Sequence, residues 1–176
     1  PYEQIRATAA VADVRPDPAD GLAALNNNRV LIVSGAAATG VTSTQIWLLA
    51  EHFQRDAQRL PVRVSFEPRF SATRFTKALR RAMGDIGKAL VNKDDELPAL
   101  LIAVDDCVTT SAGSMKAFLR YISDHPEHTF IVGTHEEQPA GLTDRLDESG
   151  ISYDQLYLGP FGRRELRELV TKIAGA

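Results

Sequence analysis

The run Val30-Leu31-Ile32-Val33 passes directly into Ser34-Gly35-Ala36-Ala37-Ala38-Thr39-Gly40-Val41-Thr42. No other stretch restricts the fold so strongly. Four apolar residues in a row, rich in β-branching, suit a strand covered on both faces. Gly35 and Gly40 are separated by four residues and followed by the hydroxyl of Thr42. That is the loop form G-x-x-x-x-G-K-[ST] with one departure. Glycines at both ends let the backbone curl until successive N–H groups face an anion. The positive end of the following helix adds to this. Val41 stands where the form has a lysine, the side chain that reaches the β- and γ-phosphates. The segment therefore predicts a phosphate-type loop without its main cation.

Two further segments carry polar chemistry. Leu101-Ile102-Ala103-Val104-Asp105-Asp106 is an apolar strand ending in paired acids and resembles a Walker B strand. In that role Asp105 orients Mg²⁺ through water and Asp106 polarises an attacking water. Read alone, two acids at a strand end are simply solvated. The interval back to the glycine loop leaves room for a helix, a strand and another helix. Phe130-Ile131-Val132-Gly133 then ends in Thr134-His135, where a polar side chain can sense a γ-phosphate.

The rest of the chain alternates strand and helix. Residues 1–21 are weakly patterned, and Pro16, Pro18 and Gly21 mark 15–21 as a linker or strap, with a short helix conceivable before Pro16. Residues 22–176 are expected to form a single domain, excised from a larger multidomain protein. Ser43–Gln58 carries a helical stripe of Ile46, Leu49, Ala50, Phe53 and Ala57. Pro61–Phe66 reads as a strand. Ser71 can cap a helix presenting Phe75, Leu79, Ala82, Ile86 and Leu90, weakened by Gly84 and Gly87. Leu100–Val104 is a strand, and Ser114–Asp124 a helix with Met115, Phe118, Leu119 and Ile122 inward. Thr129–Val132 is a strand, Leu142–Ser149 a helix ended by Gly150, and Tyr153–Leu158 a strand. Arg163–Ile173 closes the chain as an amphipathic helix with Leu166, Leu169, Val170 and Ile173 buried. Short apolar strands between helices predict a five-stranded parallel sheet with helices on both faces, a three-layer α/β fold. Ligands of such sheets sit beyond the carboxyl ends of the strands, where the three polar segments meet.

Composition excludes several classes. The 176 residues are 44% hydrophobic and 24% charged, enough for a real core. A formal charge of -3 gives no global pull toward nucleic acid or anionic membrane. The one cysteine, Cys107, precludes an internal disulfide, suits a reducing compartment and reads as a packing residue. No apolar run is long enough for a membrane span, and no signal pattern opens the chain. A cytoplasmic location is expected. Arg69, Arg74, Arg80 and Arg81 form a locally basic stretch that reads as a solvated helix face. Trp47 lies off the apolar stripe of its helix, as a partner anchor or packed under the N-terminal strap. His52, His125 and His128 show no metal-ligand spacing.

The glycine loop, the double acid and the Phe130–Thr134 strand, in that order, resemble the additional-strand P-loop NTPases. Tyr157-Leu158-Gly159-Pro160-Phe161 and the following Arg163–Leu169 helix make the chain similar to their STAND class, with its NACHT- and NB-ARC-like switches. The resemblance covers roughly 22–174. It implies a P-loop NTPase fold with strand order 5-1-4-3-2. It implies nucleotide contact through Gly35, Thr39, Gly40, Val41, Thr42, Ser43 and His135, Mg²⁺ at Thr42 and Asp105, and catalysis through Asp106. It also implies ATP/ADP-dependent switching with Mg²⁺, contact with other domains of the same protein, and homo-oligomers.

Val41 departs from the class. A charge-assisted phosphate contact is worth about 1.5–3 kcal/mol, so its loss weakens triphosphate binding at least about tenfold. Arg29, Arg69, Arg74, Arg80 or Arg81 are candidate stand-ins. The expected function is a degenerate nucleotide switch of a signalling or defence regulator, binding ATP/ADP weakly or not at all with little hydrolysis. The alternative is a scaffold on the same fold that binds no nucleotide and uses no cofactor. A dinucleotide oxidoreductase is disfavoured: the second glycine is misplaced, and no Tyr-x-x-x-Lys pair exists.

Overall fold

A computed structural model describes residues 18–55, 58–67, 69–84, 97–107 and 112–174. The elements run α1 (Pro18–Asn27), β1 (Val30–Ser34), α2 (Val41–Arg55), β2 (Leu60–Ser65), α3 (Ala72–Ala82), β3 (Leu100–Asp105), α4 (Ala112–Asp124), β4 (Thr129–Thr134), α5 (Ala140–Glu148), β5 (Tyr153–Tyr157) and α6 (Arg163–Ala174). The strands form one five-stranded sheet in the order β2-β3-β4-β1-β5. Every pairing is parallel. Read from the other edge, this is the 5-1-4-3-2 order that the resemblance implies.

Strand alternation sorts the core into two layers. Leu31, Val33, Leu101, Ala103 and Ile131 face α1 and α2, meeting Leu22, Leu25, Leu48 and Leu49. Val30, Ile32, Ile102, Val104, Phe130 and Val132 face the other helices, meeting Phe75, Leu79, Met115, Phe118, Leu142 and Leu146. The three central strands β1, β3 and β4 are buried at every residue. Each such large side chain contributes about 1.5–3 kcal/mol over exposure. The edge strand β2 alternates instead, with Val62 and Val64 buried and Pro61, Arg63 and Ser65 exposed. That alternation leaves Arg63 on the α2 side of the sheet edge.

Several expectations are corrected. A helix, α1, begins inside the stretch assigned to a strap, because Leu22 and Leu25 supply an apolar face that covers the sheet. The buried face of α2 is Val41, Thr44, Gln45, Leu48, Leu49 and His52. Ala50 is exposed, and Phe53 is 39% exposed. The polar Gln45 belongs inside: its Nε2 donates to Val104 O and Ile131 O, both at 3.0 Å. Ser71 is the N-cap of α3 but makes no side-chain cap, and Ala82 is exposed. The apolar face of α6 is only partly buried: Leu166 is 47% and Val170 64% exposed, while Leu169 is half-buried. Trp47 packs, partly buried, against the α1–α2 layer. Leu142 and the Gly150 stop fall as expected. The helix before Pro16, Ala57, Ile86, Gly87, Leu90 and the side chain of Ile173 lie outside the described residues.

Candidate functional site

The loops after β1, β3 and β4 converge at the carboxyl edge of the sheet. Gly35 N–H donates to Thr134 O at 3.3 Å, and Cys107 N–H to Gly133 O at 2.8 Å. These bonds fix the three segments against one another. Burial, aided by nearby Glu136, pushes the Cys107 thiol up to about 12, so it is an inert packing group.

The first loop is tight. A Cβ on Gly35 would lie 2.5 Å from Leu158 O and 2.5 Å from Thr39 Oγ1, so only glycine fits. Gly40 has φ 94°, and Ala38 holds φ 66°, a left-handed conformation rare without glycine. Thr39 turns inward: its hydroxyl donates to Ala36 O at 2.8 Å, and its amide to the same oxygen at 3.2 Å. Both Thr39 donors are thus engaged inside the loop.

α2 starts where the loop ends. Its first intrahelical bond runs from Thr44 N–H to Gly40 O at 2.8 Å. The amides of Val41, Thr42 and Ser43 therefore have no partner within the helix and sit at its positive end. The Val41 side chain goes the other way. It is 1% exposed and belongs to the α1–α2 apolar layer. It offers an anion its amide alone.

Asp105 is the hub. It is 3% exposed at the end of β3. Thr42 Oγ1 donates toward its Oδ1 at 3.2 Å and its Oδ2 at 3.1 Å. Asp106 N–H donates to Oδ1 at 3.1 Å. The guanidinium of Arg63, reaching across from β2, pairs with Oδ2. Asp106 has φ 54° and an exposed carboxylate, 3.1 Å from His135 Nε2. Thr134 is buried, and its Oγ1 accepts Glu136 N–H at 3.3 Å.

The sequence-predicted residues Gly35, Gly40, Val41, Thr42, Asp105, Asp106 and His135 thus come together. Ser43 adds an amide at the start of α2 and a half-buried side chain. Arg63 is the site residue that sequence reasoning passes over. Of the proposed stand-ins, Arg29 is committed elsewhere: it donates to Ile122 O at 2.7 Å, His125 O at 3.1 Å and His128 O at 3.4 Å. That knot lies at the opposite edge of the sheet, ahead of β1. The signal for Arg63 was its exposed position on an alternating edge strand, beside an acid-ended strand.

The donor set divides by ligand. Open amides at the head of α2 and the hydroxyl of Thr42 fit a phosphate. Thr42 and Asp105 have the oxygen chemistry for Mg²⁺, and Asp105, Asp106 and His135 bring ligand atoms within 4.8 Å of one another. The contact from Arg63 opposes this, because a cation already holds the buried carboxylate. The arrangement does not fit Mg²⁺ as it stands. A second trio, His125, Glu127 and His128, also has ligand atoms within 4.8 Å, which the sequence spacing did not suggest. Its groups are engaged with one another and with Leu100, whose N–H donates to His128 Nδ1 at 3.4 Å.

No family model and no curated protein sequence matches the chain. Solved structures do. The Walker-type ATPase PABY2304 of Pyrococcus abyssi superposes with a TM-score of 0.61 at 12% identity, over 89% of this chain and 56% of that one. The Aeropyrum pernix ORC2 protein, solved in ADPNP and ADP complexes, gives 0.62 at 16% identity, over 93% of this chain and 51% of that one. Domain III of the Thermotoga maritima replication initiation protein DnaA gives 0.56 at 14% identity, over 90% of this chain and 69% of that one. The chain spans about half the length of the first two. The fold is that of the P-loop ATPases. Among the described residues no helix is long and apolar enough to cross a membrane.

Proposed function

We propose that this chain is a degenerate nucleotide switch domain of the STAND type, within a larger cytoplasmic signalling or defence regulator that assembles with copies of itself. It binds ATP or ADP weakly and turns it over little. One observation carries the reading. The amides of Val41, Thr42 and Ser43 have no partner within α2 and lie at its positive end, while the Val41 side chain lies 1% exposed in the core. The backbone part of a phosphate cradle is kept and its charged part is gone. The lost contact weakens binding about 10–150-fold and removes stabilisation of charge developing in phosphoryl transfer.

Within this reading Thr42 and the α2 amides hold phosphate, and Asp106, held by His135, faces the water side. Titration calorimetry with ATP and ADP tests it. A saturable heat of weak affinity supports a switch; no heat and no thermal shift at millimolar nucleotide contradict it.

The buried Val41 also favours a second reading, an interaction scaffold that needs no nucleotide. Size-exclusion chromatography separates the two. The switch changes its assembly or compactness with nucleotide, and the scaffold elutes identically in both conditions.

A further inference from the structure

We infer that Arg63 is the resident cation of this site: its guanidinium takes the place of a divalent metal ion on Asp105, so a nucleotide phosphate enters without one. The nucleotide part rests on the function proposed above; the exclusion of metal does not.

The argument begins with the lone pairs of Asp105. A carboxylate offers about four acceptor directions. Oδ1 faces Thr42 Oγ1 and the Asp106 amide; Oδ2 faces Thr42 Oγ1 and Arg63. Three donors, the Thr42 hydroxyl shared between the two oxygens, the Asp106 amide and Arg63, thus already hold the carboxylate. The carboxylate side chain is 4% exposed and that of Arg63 39%. The pair is therefore buried at the acid end and open at the basic end. A half-exposed partner of a buried acid holds its charge where solvent, or a ligand, can reach it. Mg²⁺ needs near-octahedral oxygens at about 2.0–2.1 Å and sheds water reluctantly, so it competes poorly with a guanidinium fixed on its own chain.

Arg63 also answers the loss at position 41. The guanidinium carries five N–H donors in a planar fork that matches phosphate, and its Asp105 contact uses Nη2. Thr42 links that pair directly to the first turn of α2, where the open amides lie. A positive group thus stands beside the cradle, delivered from the sheet edge rather than from the loop. The ligand class that follows is a metal-free nucleoside polyphosphate.

Manganese binding to the full chain, followed by electron paramagnetic resonance, tests the exclusion without nucleotide. Wild type is expected to show no saturable Mn²⁺ site at millimolar metal. Arg63→Ala is expected to gain one, at least about tenfold tighter than any wild-type binding, and Arg63→Ala with Asp105→Asn to lose it again. Arg63→Gln keeps a donor for Asp105 without the charge and serves if the alanine variant does not fold. Wild-type Mn²⁺ binding equal to that of the Arg63 variants and dependent on Asp105 overturns the inference, as does an Arg63 variant that gains none. Calorimetry with ATP in excess chelator and in Mg²⁺ reads the second half. Equal wild-type heats, with Arg63→Ala binding only when Mg²⁺ is present, support it; wild-type binding that requires Mg²⁺ overturns it. No heat in either buffer overturns the nucleotide reading, and the manganese result still decides the exclusion.

Discussion

Thr42 donates its hydroxyl toward both oxygens of Asp105, at 3.2 and 3.1 Å, and so ties the first turn of α2 to the end of β3. Hydrogen bonds to charged groups are worth about 1.5–3 kcal/mol, and a buried acceptor left without one costs similarly. Thr42→Val keeps the shape and removes the donor. Because Arg63 still holds Asp105, the expected loss is at the low end, about 1–2 kcal/mol in urea unfolding. An unchanged midpoint contradicts the bond's structural role.

Val41→Lys sets two effects against each other. The valine is 1% exposed, so replacing it forfeits about 1.5–3 kcal/mol of burial and forces the ammonium to snorkel out. The ligand-free variant should melt about 5 °C lower. If the amides form a cradle, the new charge strengthens ATP binding about tenfold or more, and ATP then raises the melting temperature more than in wild type. Unaltered ATP affinity in the folded variant contradicts the cradle.

Ala38 holds φ 66°. The left-handed conformation costs a residue with a Cβ about 1–2 kcal/mol, while glycine adds about 0.4–1 kcal/mol of unfolded-state entropy to be lost. The first term wins, so Ala38→Gly is expected to stabilise by about 0.5–1 kcal/mol. A destabilised variant in denaturant titration contradicts the strained loop.

His128 supplies a pH dependence away from the site. Burial, with His125 and Arg29 nearby, lowers its pKa to about 4, against the opposing pull of Glu127. The unfolded chain therefore binds a proton at His128 between about pH 6.5 and 4 that the folded chain refuses. Stability from this group is full above about pH 6.5 and falls on acidification, by up to about 3 kcal/mol. His128→Asn keeps an acceptor for the Leu100 N–H, and its unfolding free energy should lose that extra slope. Parallel curves for the two proteins contradict the assignment.

The legible part of this fold is what lies at the sheet centre. Val30–Val33, Leu100–Val104 and Thr129–Val132 read as continuous apolar runs because both of their faces are covered. Strand order carries no such local signal and came only with the family resemblance. The face of α2 departs from its apolar stripe because it buries polar groups: Gln45 satisfies two carbonyls of neighbouring strands, which hydrophobic periodicity cannot register. α6 departs in the opposite sense. Its apolar stripe is real, but Leu166 and Val170 stay exposed. At the site, the glycines, Thr42 and the double acid were readable from spacing. Arg63 was not, since its partner lies 42 residues away and meets it only through the β2–β3 pairing.

Nuclear magnetic resonance of the nitrogen-labelled chain, titrated with ATP, probes the cradle most directly. The account expects the largest amide shifts at Gly40, Val41, Thr42 and Ser43, saturating at weak affinity, with the amides around His128 unmoved. Shifts confined to other surfaces, or none at millimolar ATP, contradict it.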